Sequence, residues 1–65
     1  MMRVELNGKL VEIQDANLSV LLQEHTGQSV FAVAINGEFV PRASYSKVRL
    51  KEGDTIDIVS PMQGG

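Results

Sequence analysis

Arg3-Val4-Glu5-Leu6-Asn7-Gly8-Lys9-Leu10-Val11-Glu12-Ile13 opens the chain with two short runs in which apolar and polar residues largely alternate on either side of an Asn-Gly pair. Both central positions of a two-residue type I′ turn need positive φ, which glycine takes freely and asparagine tolerates, so the stretch predicts a hairpin with strands over residues 3–6 and 9–13. A turn of that length sets the register: Leu6 faces Lys9, Val4 faces Val11 and Met2 faces Ile13, while Arg3 meets Glu12 on the other side. One face of the hairpin is therefore mostly apolar. Leu10, opposite Glu5 on the wetter face, is the misfit, and it fits either a bulge or a satellite contact.

Beyond the hairpin, Asp15-Ala16-Asn17 interrupts the strand pattern, and Asn17 is suited to cap a helix from Leu18 to about His25. Gly27 supplies its stop. Leu18, Leu21 and Leu22 fall at i, i+3 and i+4, a stripe that has to lie against a sheet because a helix of two turns is not stable alone. Residues 29–35 form a nearly continuous apolar run, expected of a strand inside the sheet. Asn36-Gly37 is a second type I′ signal and leads into Glu38-Phe39-Val40, which Pro41 ends by removing a backbone donor. Residues 43–48 lack periodicity and suit a turn or a short 3₁₀ crossing. After the turn at residues 50–54, residues 55–59 alternate as a last strand with Ile56 and Ile58 on one face. Pro61 blocks further pairing, which leaves residues 60–65 as a flexible tail behind a domain of residues 1–59. One helix cannot cover two faces, so the simplest packing is α+β, a four- or five-stranded mixed sheet wrapped across one main helix: the β-grasp.

A chain of 65 residues holds one hydrophobic core. With no cysteine and a single histidine, His25, it offers neither a disulfide framework nor a Cys/His zinc site. Its 43% hydrophobic and 22% charged residues suit a globular domain rather than a disordered one. A formal net charge of −2 and 5% aromatic residues argue against a nucleic-acid partner. The longest apolar run, residues 30–35, is far below the roughly 20 residues that span a bilayer. No signal-peptide pattern follows Met1, so a cytoplasmic location is expected.

The sequence shows no catalytic constellation and no metal or cofactor site. His25 reads as a helix C-terminal residue favoured by the dipole. Asp54 and Asp57 read as a solvated strand edge rather than an acid/base pair. Met1, Met2 and Met62 form no stripe, and the two Asn-Gly pairs lack the glycine spacing of a phosphate loop. The last four residues, Met62-Gln63-Gly64-Gly65, have no structural use in this scheme. Side-chain-free glycine can thread a narrow enzyme channel, and the tail from residue 60 extends to about 20 Å, enough to carry the Gly65 carboxylate into another protein's active site. At neutral pH that carboxylate is an anion and a poor electrophile. Converting it to an acyl adenylate supplies a leaving group that a sulfur nucleophile can displace, forming a thiocarboxylate.

Ala34-Ile35-Asn36-Gly37-Glu38-Phe39-Val40-Pro41-Arg42, Leu50-x-x-Gly53-Asp54-x-Ile56 and the Gly64-Gly65 end together resemble the ThiS family, the sulfur carriers of thiamine biosynthesis, over the whole length. The resemblance implies a protein co-substrate, not an enzyme. Gly65 is then adenylated by an enzyme related to ubiquitin activators, which consumes ATP with Mg, the carrier itself binding no cofactor. Sulfur arrives through a cysteine desulfurase relay and passes to thiazole synthase. The same resemblance implies that Gly64, Gln63 and Met62 enter the partner enzymes and that a sheet face near Phe39, Arg42 and Ile58 docks. Read from the residues alone, Arg42 is a solvent-exposed charge after a turn.

Other readings of the tail are a carrier for molybdopterin synthesis, tRNA thiolation or amino-acid synthesis, a ubiquitin-like modifier joined through Gly65 to a lysine, or an interaction module with an inert tail. Only the modifier would leave ladders of conjugates on denaturing gels, and only the inert tail would survive loss of Gly65 with activity intact.

Overall fold

The computed structural model describes residues 1–25 and 32–59. Along the chain run β1 (Met2–Leu6), β2 (Lys9–Ile13), α1 (Leu18–His25), β3 (Ala32–Ile35), β4 (Glu38–Val40), a 3₁₀ helix (Arg42–Lys47) and β5 (Thr55–Val59). The strands form one five-stranded sheet in the order β2-β1-β5-β3-β4. β5 lies parallel to β1 and antiparallel to β3, so the sheet is mixed and, with its single helix, has the β-grasp arrangement.

Both Asn-Gly pairs make the predicted turns. Asn7 and Asn36 have φ of 49° and 53°, followed by Gly8 and Gly37 at 85° and 86°, the left-handed pair a type I′ turn demands. The β1–β2 register is the one the first turn imposes: Met2 with Ile13, Arg3 with Glu12, Val4 with Val11, Glu5 with Leu10, Leu6 with Lys9. Leu10 therefore sits in an unbroken ladder, and its side chain is 69% exposed rather than part of a bulge or satellite contact.

Helix α1 starts where Asn17 caps it: Asn17 Oδ1 accepts the Ser19 N–H at 2.9 Å, relieving one orphan donor of the first turn. The cap is itself held, since Asp15 Oδ1 accepts the Asn17 N–H at 2.9 Å and Asn17 Nδ2 donates to Ser46 O at 3.1 Å. Leu18, Leu21 and Leu22 bury the predicted stripe against Val4, Ile13, Val33, Leu50 and Ile56, which together form the core. Gly27, the predicted helix stop, and Ser29, Val30 and Phe31 of the predicted third strand lie outside the described residues. The part of that strand described, β3, is interior but flanks the centre. The central place goes to β5, whose Ile56 pairs with Leu6 of β1 on one side and whose Ile58 pairs with Val33 of β3 on the other.

Candidate functional site

The predicted tail residues Met62, Gln63, Gly64 and Gly65 lie outside the described residues, so the site is built from the strand that leads into them. β5 is held along both edges. On the β1 side Glu5 N–H donates to Asp54 O at 2.9 Å and Asn7 N–H to Ile56 O at 2.8 Å; on the β3 side Asn36 N–H donates to Thr55 O at 2.7 Å. Each turn asparagine adds its side chain. Asn36 Oδ1 accepts the Thr55 N–H at 3.0 Å, while Asn7 Oδ1 accepts the Ile58 N–H at 2.7 Å and Asn7 Nδ2 donates to Ile58 O at 3.2 Å.

Pairing partners share a face, so the register sorts the sheet into two sides. Val4, Leu6, Val11, Ile13, Val33, Ile35, Val40, Ile56 and Ile58 belong to the side that packs with α1. The opposite side carries Phe39, Ala34 and Asp57 in one row and Ala32 with Val59 in the next, toward the end of β5. Phe39 and Val59 are 68% and 54% exposed, and with the two small alanines between them they form an apolar patch that reaches the end of β5. Leu10 lies on the same side but at the far edge of the sheet, beyond Glu5.

The expected docking trio is therefore not one surface. Phe39 is on the outer side and Arg42 is exposed on the first turn of the 3₁₀ helix, but Ile58 is half-buried on the inner side against the core. Strand alternation makes this necessary, because Ile56 is fully buried and Ile58, two residues on, must share its face. Val59 is the β5 residue beside Phe39's patch, and the same alternation was the signal that could have found it.

The expected solvated acidic edge also needs correction. Asp57 is exposed, but Asp54 is only 9% exposed. Its Oδ1 accepts from Asn36 Nδ2 at 3.0 Å and its Oδ2 from the Lys51 N–H at 2.8 Å, so the carboxylate closes the turn before β5 and ties it to the second hairpin. His25 is exposed in the last turn of α1, as expected for a helix C-terminal residue.

An open groove between the end of β2 and α1 is lined by Glu12, Ile13, Gln14, Asp15, Val20 and Glu24. Among the described residues no three His, Cys, Asp or Glu side chains are placed to share a metal ion. No helix among them is long and apolar enough to cross a membrane.

The sequence model of the ThiS family matches residues 4–65. Among solved structures, the chain is similar to the crystal structure of the thiamine biosynthesis protein ThiS from Geobacter metallireducens, with 27% sequence identity and a TM-score of 0.77. That alignment covers 98% of this chain and 100% of the other. Among the curated proteins none matches.

Proposed function

Because this chain belongs to the ThiS family, we propose that it is a sulfur carrier of thiamine biosynthesis, a co-substrate rather than a catalyst, working in the cytoplasm with Gly65 as its reacting residue. The observation that carries the reading is the family match, which runs through the Gly64-Gly65 end.

A carboxylate oxygen of Gly65 attacks the α-phosphorus of ATP within a ubiquitin-activator-like adenylating enzyme, and pyrophosphate leaves with Mg. The terminal sulfur of a persulfide supplied through a cysteine desulfurase relay then attacks the acyl carbon, and AMP departs with the oxygen, leaving an acyl disulfide. A second thiol of the partner enzymes attacks the relay's sulfur, so that the S–S bond breaks, a disulfide forms on the partner side and the thiocarboxylate is released. Thiazole synthase takes that sulfur. The carrier needs no catalytic group for these steps. It needs a body that docks and an end that reaches, with Met62, Gln63 and Gly64 entering the partner's channel.

The docking surface we assign is the apolar patch of Phe39, Ala34, Ala32 and Val59, with exposed Arg42 two residues past the end of β4 and Ile58 on the opposite, inner face. Asp57 in the Phe39 row and Glu5 nearby favour a partner face that is apolar and flanked by basic residues.

Intact-mass measurement of the full chain, after incubation with ATP, a ThiS-family adenylating enzyme and a sulfide source, tests this. One oxygen exchanged for one sulfur is expected, and deletion of Gly65 abolishes it. Absence of that exchange in the wild-type chain overturns the reading, and conjugate ladders would replace it with the modifier. Loading without transfer to thiazole synthase would reassign the carrier to another sulfur pathway.

A further inference from the structure

The two hairpin turns are alike in sequence, yet the topology gives them different work. β3 runs antiparallel to β5, so the Asn36-Gly37 turn lies beside the start of β5; β1 runs parallel to it, so the Asn7-Gly8 turn lies beside its end. The last backbone bond between β1 and β5 is Asn7 N–H to Ile56 O. There the first strand turns away, and no further β1 residue remains to pair with Ile58. The side chain of Asn7 takes that place, accepting from the Ile58 N–H at 2.7 Å and donating to its carbonyl at 3.2 Å. A primary amide carries the same donor and acceptor as a peptide group, so the side chain acts as one additional rung of the ladder.

We propose that Asn7 is a positioning residue for the reactive tail, fixing the point on the body from which the chain end reaches into partner enzymes. The proposal rests on the reading of Gly65 as the reacting group. Ile58 stands two residues before Ser60, and Val59 between them belongs to the docking patch. Without the Asn7 rung, Ile58 and Val59 are paired only on the β3 side, through Val33 and Ala32. Both residues are then held along one edge alone, and the order they lose has to be restored each time the carrier docks. A loss equal to the order of about one residue's backbone is worth a factor of about 5 to 30 in affinity.

The test uses the full chain with Asn7→Gly, which keeps the left-handed turn but removes both bonds, and Asn7→Asp, which keeps the acceptor for the Ile58 N–H. Asn36→Gly is the control, since it removes the equivalent side-chain bonds at the start of β5. Amide hydrogen exchange by NMR and steady-state pyrophosphate release with an adenylating enzyme are read together. Asn7→Gly is expected to speed exchange at Ile58 well beyond any change at Ile56, and to raise KM for the carrier about 5- to 30-fold with kcat nearly unchanged. Asn7→Asp falls between it and wild type, whereas Asn36→Gly leaves KM near the wild-type value. The proposal is overturned if Ile58 exchange is unaltered in Asn7→Gly, or if its KM rises no more than that of Asn36→Gly. Should Asn7→Gly not fold, the same two readouts on Asn7→Asp decide. Should wild type itself release no pyrophosphate, the Gly65 reading fails on its own, and Ile58 exchange still decides whether Asn7 holds the strand end.

Discussion

Replacing Asp54 by alanine is expected to remove a large part of the stability of this small domain, through two hydrogen bonds rather than through apolar packing. Two donors lose their acceptor at once: the Lys51 N–H, held at 2.8 Å in the turn, and Asn36 Nδ2, held at 3.0 Å from the other hairpin. A buried donor left unpaired costs about 1–3 kcal/mol. Both bonds are part-buried, and Lys51 and Asn36 are themselves exposed, so water replaces part of each lost bond and about 1–1.5 kcal/mol is assigned to each. The expected loss is then about 2–3 kcal/mol, against a total of about 3–10 kcal/mol for a domain of this length. With a urea slope near 1 kcal/mol/M for so small a protein, the unfolding midpoint falls by about 2–3 M. Asp54→Asn retains one acceptor and opposes an NH₂ to the other donor, so it lies between alanine and wild type. A double-mutant cycle with Asn36→Gly, which avoids strain at the left-handed turn, isolates the cross-hairpin bond and is expected to give about 1 kcal/mol of coupling. An Asp54→Ala midpoint within the error of wild type, or a cycle with no coupling, would refute the assignment of Asp54 as the tie between the turn and the second hairpin.

Ile56→Ala, at a fully buried position in the central strand, is expected to cost about 3–4 kcal/mol and to leave the chain partly unfolded at room temperature, seen by circular dichroism and urea titration. Gly37→Ala meets no atom within 4 Å of the new Cβ, so its expected loss of about 1–2 kcal/mol comes from φ of +86° alone; a larger loss in a thermal melt would mean that the turn is crowded as well. Phe39→Ser, on an exposed outer-face position, is expected to change stability by no more than about 0.5 kcal/mol while raising KM for the adenylating enzyme about tenfold. Ile58→Ala does the converse, lowering the melting temperature through its contact with the core, and equal KM effects from the two would show that the docking face is wrongly drawn.

Local chemistry made much of the fold readable. An Asn-Gly pair fixes which residues face each other, so the whole β1–β2 register followed from two residues, and Asn17 with the Leu18, Leu21 and Leu22 spacing gave the helix its start and its buried side. Strand order was not readable in the same way, because the pairing of Leu6 with Ile56 joins residues at opposite ends of the chain and leaves no trace in either segment's pattern. Asp54 looked like a surface acid for a related reason: its burial depends on a side chain from the second hairpin, which reaches it only once both turns are placed. The proposed reacting end is suggested by composition, since two glycines after a proline match no strand or helix pattern. Its docking face was less visible, and pairing Ile58 with Phe39 overlooked the parity that already put Ile58 beside Ile56. The Asn7 amide was hidden altogether, because a turn asparagine looks the same in sequence whether its side chain meets water or a neighbouring strand.

Placing the last strand at the centre of the sheet solves a mechanical problem for a carrier of this design. A chain end that enters partner enzymes passes every displacement and load back to the strand before it. At an edge that strand would be held by one neighbour, and its free backbone groups would also invite pairing with other chains. Between β1 and β3 it is bonded on both sides, and a local opening has to break rungs to two hairpins together. The direction of β5 follows from the same insertion, since running parallel to β1 sends its end toward the first hairpin turn, where Asn7 waits. The patch formed by Phe39, Ala34, Ala32 and Val59 then borders that end without any further element. On the proposed function, docking surface, anchor and exit point are thus set by one strand, so that the body places the terminus while partner enzymes supply the chemistry.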